Sequence, residues 1–507
     1  VPDSGARSAK RFKRLVVVSN RLPVVLSQTG EDQWDIEPGH GGLVTALAPV
    51  LRNRGGLWIG WPGTQGDADV GTPLGRAARD VGYELRPVML TDEQIDGFYY
   101  GFSNEIVWPL FHDLQSRCNF DPGYWRAYSD VNRKFVDVIV AAHEAGDYLW
   151  VHDYHLLLVA PELRRRGYED SIGFFLHIPF PPLDLFVKLP WRFEFLRALL
   201  EYDLIGFQTS RDRRNFVQCI RALAKDVEVV GRGRVLLLKT RGREIRVGVF
   251  PIGIDYGAFV EGAGASEVAE AAWYIHENLP NRQIILGVDR LDYSKGIPQR
   301  LEAFRTTLAR FPDLREKTSL VQIVVPSREN IPDYQILRTE IEHLTSQING
   351  EFTQHGWVPI HYIFRALNRT ELLAHYRTAE IALVTPLKDG MNLVAKEFCA
   401  CSLEENCVLI LSEFAGAAAQ LQRGALMVNP YDIEGVAEAI HQAFHMTTAE
   451  RRLRMRRLRH SVRRHDIFWW VDAFLHAAIA SPLDSFPVIE DYQPREVVGR
   501  SSEPRTH

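Results

Sequence analysis

The chain has 507 residues, 46% hydrophobic and 24% charged, with a formal net charge of −5. That length exceeds a single core and predicts two to four domains of ordinary globular composition, and the lack of a basic excess argues against nucleic acid or an anionic membrane as partner. The five cysteines (Cys118, Cys219, Cys399, Cys401, Cys407) contain no CxxC pair, which points to reduced, buried thiols rather than zinc, and no apolar run reaches membrane-spanning length.

Residues 1–13 are polar and basic and read as a mobile arm without the apolar stretch of a signal peptide, so a cytoplasmic protein is expected. Arg14 to Ser19 is an apolar run of the kind that makes a buried parallel strand, and Asn20 to Pro23 ends it. Arg21 therefore stands at a strand's carboxyl end, where open α/β sheets keep their ligands. Gly39 to Leu43, with Gly41 and Gly42, opens a helix running to about Arg52. The full GxGxxG fingerprint is missing, which argues against a nicotinamide enzyme. Gly56 to Gly63 sets two tryptophans among small turn residues, either as a sugar-stacking wall or as a core strand with tight turns. Asp96 to His112 is dense in aromatics, most of them packing; Tyr99 and Trp108 are the candidates to face a ligand.

Tyr148 to His155 is another strand ending in polar residues, and Ile172 to Pro182 repeats the pattern with His177. A lone histidine is usually structural. Here Arg21, Asp153 and His177 each end an apolar run with helical segments between, and parallel strands gather such ends on one edge. Leu204 to Gln208 adds a strand, 227–249 reads as a hairpin excursion, and Pro251 to Asp255 closes a first domain, 14–260.

A second α/β domain, 261–467, begins with the strand Ile284 to Val288. It runs into Arg290 and Lys295, two cations five residues apart on a strand-to-helix turn, a good diphosphate clamp. Strands at Leu320 to Val325, Ile360 to Phe364, Ile381 to Val384 and Val408 to Leu411 follow, the first leading into Arg328. Alternation of strand and helix predicts two doubly wound domains.

After Val384 the chain breaks at Pro386, turns through Asp389 and Gly390, and continues from Met391 as a helix. A strand, a turn and a fresh helix N-terminus make a site for anionic groups. A carboxylate there would repel phosphate alone, but suits a ligand with hydroxyls beside phosphate, a sugar nucleotide. Glu397 is placed to take ribose hydroxyls. The competing account makes Asp389 a helix cap and Glu397 a surface residue. The basic stretch Arg451 to Arg464 reads as solvated helix, 468–485 as an apolar closing helix crossing back to the first domain, and 486–507 as a tail.

These segments carry a resemblance. Ser19 to Pro23, Gly41 to Leu43, Leu57 to Trp61, Trp150 to His155, Phe174 to Phe180, Arg290 to Gly296, Pro386 to Glu397 and Ser412 to Gly416, in that order, closely resemble the trehalose-6-phosphate synthases. These are retaining glycosyltransferases of family 20 with the GT-B fold, two Rossmann-like domains facing across a cleft. The likeness spans about 14–480, with no phosphatase module after it, as in a stand-alone synthase. Residues 24–38 depart from the pattern as an insert before Gly39.

The resemblance implies transfer of glucose from a nucleotide-glucose to glucose 6-phosphate, giving α,α-trehalose 6-phosphate, with UDP, ADP or GDP as the donor nucleotide. Arg290 and Lys295 would hold the donor diphosphate, with Gly41 and Gly42 closing over it. Asp389, Gly390, Met391, Asn392, Leu393 and Val394 would engage the transferred glucose and its phosphates, Glu397 the ribose and Leu367 the base. Arg21 and Arg328 would grip the acceptor phosphate, with Tyr99, Trp108 and Asp153 along the acceptor sugar and His177 near the reacting carbon. The implied catalytic set is Arg290, Lys295, His177 and Asp389, with no metal and no cofactor. A homo-oligomer, a tetramer among the options, with small-molecule substrates and neither nucleic acid nor membrane as partner, completes the expectation. A glycosidase using Asp389 and Glu397, a sugar-phosphate sensor, and a relative acting on glycerol 3-phosphate are the rivals.

Overall fold

The computed structural model describes residues 12–30, 33–39, 42–64, 66, 70–231, 233–328, 330–479, 492 and 494. In chain order its strands are β1 (Arg14–Arg21), β2 (Val24–Gly30), β3 (Gln33–Pro38), β4 (Leu57–Trp61), β5 (Glu84–Pro87), β6 (Asp147–His152), β7 (Ile172–Phe175), β8 (Leu204–Phe207), β9 (Glu228–Val230), β10 (Val235–Thr240) and β11 (Arg243–Val249). The second half contributes β12 (Gln283–Arg290), β13 (Thr318–Val325), β14 (Ile360–Phe364), β15 (Ile381–Val384), β16 (Val408–Ser412) and β17 (Leu426–Val428).

Along β1, Val16 and Val18 enter one core while Leu15 and Val17 enter another. Successive side chains point to opposite faces of a strand, so both faces of the sheet are covered, and an unbroken apolar run is what such a strand needs. The first sheet has the order β5-β4-β1-β6-β7-β8-β11-β10-β9. It is parallel as far as β11 and antiparallel across β11, β10 and β9, so the expected hairpin at 227–249 is a three-strand edge. The second sheet, β14-β13-β12-β15-β16-β17, is parallel throughout. These are the two Rossmann-like domains of a GT-B fold. The insert 24–38 forms a separate antiparallel hairpin of β2 on β3.

Topology positions the site. In the first sheet the chain leaves β1 for β4 and β5, then returns to β6 on the other side of β1. In the second it leaves β12 for β13 and β14, then returns to β15 beside β12. Loops diverge at such switch points and leave a crevice at the carboxyl ends of the strands. Arg21 and Asp153 lie at the first switch point; Arg290 and Asp389 lie at the second.

The domains are joined twice. Where the two crossings meet, Ile467 N donates to Ile254 O at 3.0 Å. The helix Ile467–Ile479 then lies on the first sheet, with Phe474 stacked on Trp150 at 4.3 Å and Trp470 Nε1 donating to Phe250 O at 3.0 Å. Buried Lys396, in the helix Leu393–Cys401, donates to Ile252 O at 2.6 Å and fastens that helix to the first crossing. The basic helix Thr448–Arg464 is not uniformly solvated. Arg451 is buried, and Arg459 donates to the carbonyls of Ala400 and Ser402, both at 2.7 Å, closing the end of the helix Leu393–Cys401. No helix among the described residues is long and apolar enough to cross a membrane.

Candidate active site at the interdomain cleft

At the β12/β15 switch point, Lys295 Nζ donates to Asp389 Oδ2 at 2.5 Å. Asp389 also accepts from Met391 N at 3.3 Å and from Asn392 Nδ2 at 3.2 Å. Burial pushes the Asp389 carboxyl up, but Lys295 outweighs it and holds the group ionised, below the usual range. The helix cap is Asn392, at φ 76°, whose side chain accepts from Ala395 N at 3.1 Å. The helix therefore starts at Leu393 rather than Met391, and Asp389 is free of capping duty. Leu393 and Val394, half-buried, form the first turn, where N–H groups lack intrahelical partners and favour an anion. Met391 is buried beneath them.

The other wall comes from the first domain. Arg21 places its guanidinium 3.9 Å over the Trp61 ring; both tryptophans of the Gly56–Gly63 segment are buried, and Trp61 is the one that meets a site residue. Asp153, at φ 73°, accepts from His177 N at 3.2 Å, and burial raises its carboxyl to about 7 although backbone N–H groups, Arg290 and Arg328 pull it down. His177 Nε2 lies 3.1 Å from His152 Nδ1, and burial lowers His177 to about 3, so the ring is neutral. Tyr99 sits on a π-helical segment, Ile95–Val107, whose wider winding is uncommon and concentrates at functional sites. Burial pushes the Tyr99 hydroxyl up; Arg328, Arg21 and Arg290 together more than reverse it. Tyr99 also meets Trp61, the ring beneath Arg21, edge-on at 6.3 Å.

Arg328, at φ 53°, is the most elaborately held of the cations. Its Nη1 donates to Tyr334 Oη at 2.6 Å and to Asp292 Oδ2 at 3.3 Å, and its guanidinium lies 4.2 Å over Trp108. Its Nε is buried without a partner. Trp108 Nε1 and both ring nitrogens of His155 are likewise buried and unpaired, which leaves a polar lining to satisfy. Among the described residues no carboxylate pairs with Arg21 or Arg290. Two further pairs span the cleft: Lys388 with Asp113, and Arg117 with Asp333, each at 2.6 Å. Gly390 packs on the His177 carbonyl, with no room for a Cβ between the domains.

Arg21, Tyr99, Trp108, Asp153, His177, Arg290, Lys295, Arg328, Asp389 and Gly390 are thus gathered about one cleft. Glu397 lies further along its helix, where Tyr376 donates to it at 2.9 Å. Leu367 is half-buried on the same flank of the second domain. Gly41 lies outside the described residues, and Gly42 opens the helix Gly42–Arg54. Sequence reasoning assigned no role to Asp292, Tyr334, His152 or His155. Asp292 and His152 flank assigned residues, but nothing local marks Tyr334 as the partner of Arg328.

The sequence model of Glycosyltransferase family 20 matches residues 13–479. The chain belongs to glycosyltransferase family 20. Among its family 20 relatives, the trehalose-6-phosphate synthase of Mycobacterium tuberculosis is 44% identical over 472 residues, covering 91% of this chain and 94% of that one. An α,α-trehalose-phosphate synthase (UDP-forming) from Burkholderia xenovorans, in complex with glucose-6-phosphate, superposes with a TM-score of 0.84 at 36% identity, covering 92% of this chain and 100% of the other. An E. coli trehalose-6-phosphate structure bound with UDP-2-fluoro glucose gives 0.82 at 37% identity, covering 92% and 99%.

Proposed function

We propose that this glycosyltransferase moves glucose from a nucleotide-glucose, UDP-glucose first among the donors, to glucose 6-phosphate, forming α,α-trehalose 6-phosphate and a nucleoside diphosphate. The observation that carries the reading is the placing of Arg21, Arg290 and Arg328 at or just past the carboxyl ends of β1, β12 and β13, beside the Lys295–Asp389 pair. Two anionic substrates must meet there without mutual repulsion, and these cations, of which Arg21 and Arg290 have no carboxylate partner among the described residues, supply what that requires. The relatives named above are trehalose-6-phosphate synthases, one UDP-forming and seen with glucose-6-phosphate, which supports the donor and acceptor assignments.

In this reading the diphosphate lies against Arg290, Lys295 and the first turn of the helix Leu393–Cys401. Charge that builds on the departing oxygen is met by donors already in place. Asp389, kept ionised by Lys295, accepts from hydroxyls of the transferred glucose. Arg21 and Arg328 take the acceptor phosphate, Asp153 the acceptor hydroxyls, and neutral His177 lies beside the reacting carbon. The acceptor's anomeric oxygen attacks C1 on the face the diphosphate leaves, the C1–O bond to phosphate breaks, and the acceptor proton passes to the leaving phosphate oxygen. Configuration is retained without a covalent glucosyl-enzyme, and the cations do the work a metal does elsewhere. Arg21, Arg290, Lys295 and Arg328 come together on a working transferase rather than a sensor.

The test mixes the protein with glucose 6-phosphate and UDP-, ADP- or GDP-glucose in EDTA, following diphosphate release and the anomeric proton couplings of the product. Release coupled to a non-reducing α,α-linked disaccharide phosphate supports the reading. A metal requirement, an inverted linkage or a trapped glucosyl-enzyme overturns the mechanism, and release only with another acceptor overturns the acceptor assignment.

A further inference from the structure

Away from the cleft, the helix Ile433–His445 carries Glu434, Glu438, His441 and His445 along one stripe, at the spacing that brings helical side chains into line. The stripe faces the end of the helix Ile297–Arg310 and the turn Pro312–Leu314 that follows it. Arg310 meets Glu438 at 3.3 Å and Glu434 at 3.7 Å. One step further along, Asp313 Oδ2 lies 2.9 Å from His445 Nε2 and 3.8 Å from His441 Nε2. The ligating atoms of Asp313, His441 and His445 all lie within 4.8 Å of one another.

Both imidazoles are oriented by packing. His441 stacks on Phe311 at 4.1 Å, its ring lies 4.6 Å from that of His445, and His445 meets Phe444 edge-on at 4.9 Å. An ion pair between His445 and Asp313 accounts for one histidine, and on an exposed surface such a pair is weak. It gives no reason for a second imidazole to aim at the same oxygen. Two imidazole nitrogens and a carboxylate oxygen brought within 4.8 Å of one another have the arrangement of a chelate. A tetrahedral ion with bonds of about 2.0–2.1 Å spaces its ligands roughly 3.3 Å apart, between the two separations observed.

We infer that Asp313, His441 and His445 form a binding site for a divalent cation of the zinc class, with water completing the coordination. Imidazole nitrogen suits zinc, copper and nickel, whereas magnesium and calcium want all-oxygen shells. The site ties the exit of the helix Ile297–Arg310 to the helix Ile433–His445. The donor clamp at Lys295 lies at the opposite end of that first helix, about 20 Å away at 1.5 Å per residue. Zinc bound here stiffens the flank of the second domain without entering the chemistry.

The experiment is calorimetric titration of Zn2+ into the EDTA-treated, desalted full chain and into Asp313→Asn, His441→Ala and His445→Gln, each first checked for native circular dichroism. The wild type is expected to bind one Zn2+ that raises its melting temperature. Each variant is expected to bind at least tenfold more weakly, and Mg2+ to give no shift. The electronic spectrum of bound Co2+ provides a second reading, with tetrahedral bands in the wild type that disappear in His441→Ala. Equal zinc affinity and equal Co2+ spectra in wild type and variants would overturn the site, as would magnesium binding with the same dependence. None of these readings depends on glycosyl transfer, so failure here leaves the proposed reaction untouched.

Discussion

Lys295 Nζ and Asp389 Oδ2, 2.5 Å apart, join the carboxyl ends of the adjacent strands β12 and β15 by an ion pair that is largely buried on both sides. Breaking one partner of such a pair strands the other, at a cost of about 3–5 kcal/mol. Lys295→Met is expected to lower both stability and kcat, the latter by roughly 10²–10³-fold, as for loss of one preorganised charge donor. Lys295→Met/Asp389→Asn should recover stability in urea unfolding but not activity. Recovery of both would show that the pair is structural only.

Arg328 is held by Asp292 and Tyr334 and lies over Trp108. A hydrogen bond to a charged group contributes about 1.5–3 kcal/mol, so Arg328→Gln should raise the acceptor KM by roughly 10–150-fold. The donor KM should change little. Asp292→Asn, which releases the guanidinium without removing it, should move the acceptor KM in the same direction by less. An unchanged acceptor KM in Arg328→Gln would remove this arginine from the acceptor site.

Asp153 sets a pH dependence. Its carboxyl is raised to about 7, above the ordinary value of about 3.9, because it is buried. Between those values the folded chain holds a proton that the unfolded chain has released, so this group's contribution to stability falls as pH rises through that window and is constant above it. For binding the sense is opposite. The ionised form that accepts acceptor hydroxyls grows as pH rises through about 7, so the acceptor KM should fall between pH 6 and 8. Asp153→Asn should flatten the part of that slope that does not belong to the acceptor's own phosphate. Parallel profiles in the two enzymes would assign the whole slope to the substrate.

Gly390 lies against the His177 carbonyl across the cleft, and a Cβ there would also come 3.1 Å from Ile178 Cα. Both obstacles are backbone, so Gly390→Ala cannot be absorbed by a rotamer change. Overpacking of this kind costs about 1–3 kcal/mol, placed here on domain closure rather than on either core. The expected result is a tenfold or greater loss of kcat/KM, a nearly unchanged melting temperature, and a larger radius of gyration in solution scattering with donor bound. An unchanged radius with normal activity would show that the domains do not need this contact.

Much of the cleft was legible because strand ends are legible. Arg21, Asp153, Arg290 and Asp389 each follow an apolar run, and parallel strands of one sheet must bring such ends to one edge. Tyr99 and Trp108 were harder to separate from their aromatic neighbours, since Tyr99 lies in, and Trp108 directly follows, the segment Ile95–Val107, which winds as a π-helix and does not follow the 3.6-residue period. The Asp389 cap was a fair local alternative. Asn392, three residues on, takes that role, and a propensity shared by Asp and Asn does not say which.

The sequence by itself determined the two doubly wound domains, the strand ends that carry charge and the helix N-terminus that receives an anion, because these follow from local periodicity and turn chemistry. Tertiary structure alone decided which charges face the cleft. Arg300 and Lys396 are as cationic on paper as Arg290 and Lys295. Yet Arg300 is buried against Asp289, Gln322 and Thr385, and Lys396 is spent on Ile252 O. Likewise Arg328 is gripped by Tyr334, six residues on, and by Asp292, 36 residues before it. A charge acts on a ligand only where the fold turns it toward the cleft, and that depends on packing between elements distant in the chain.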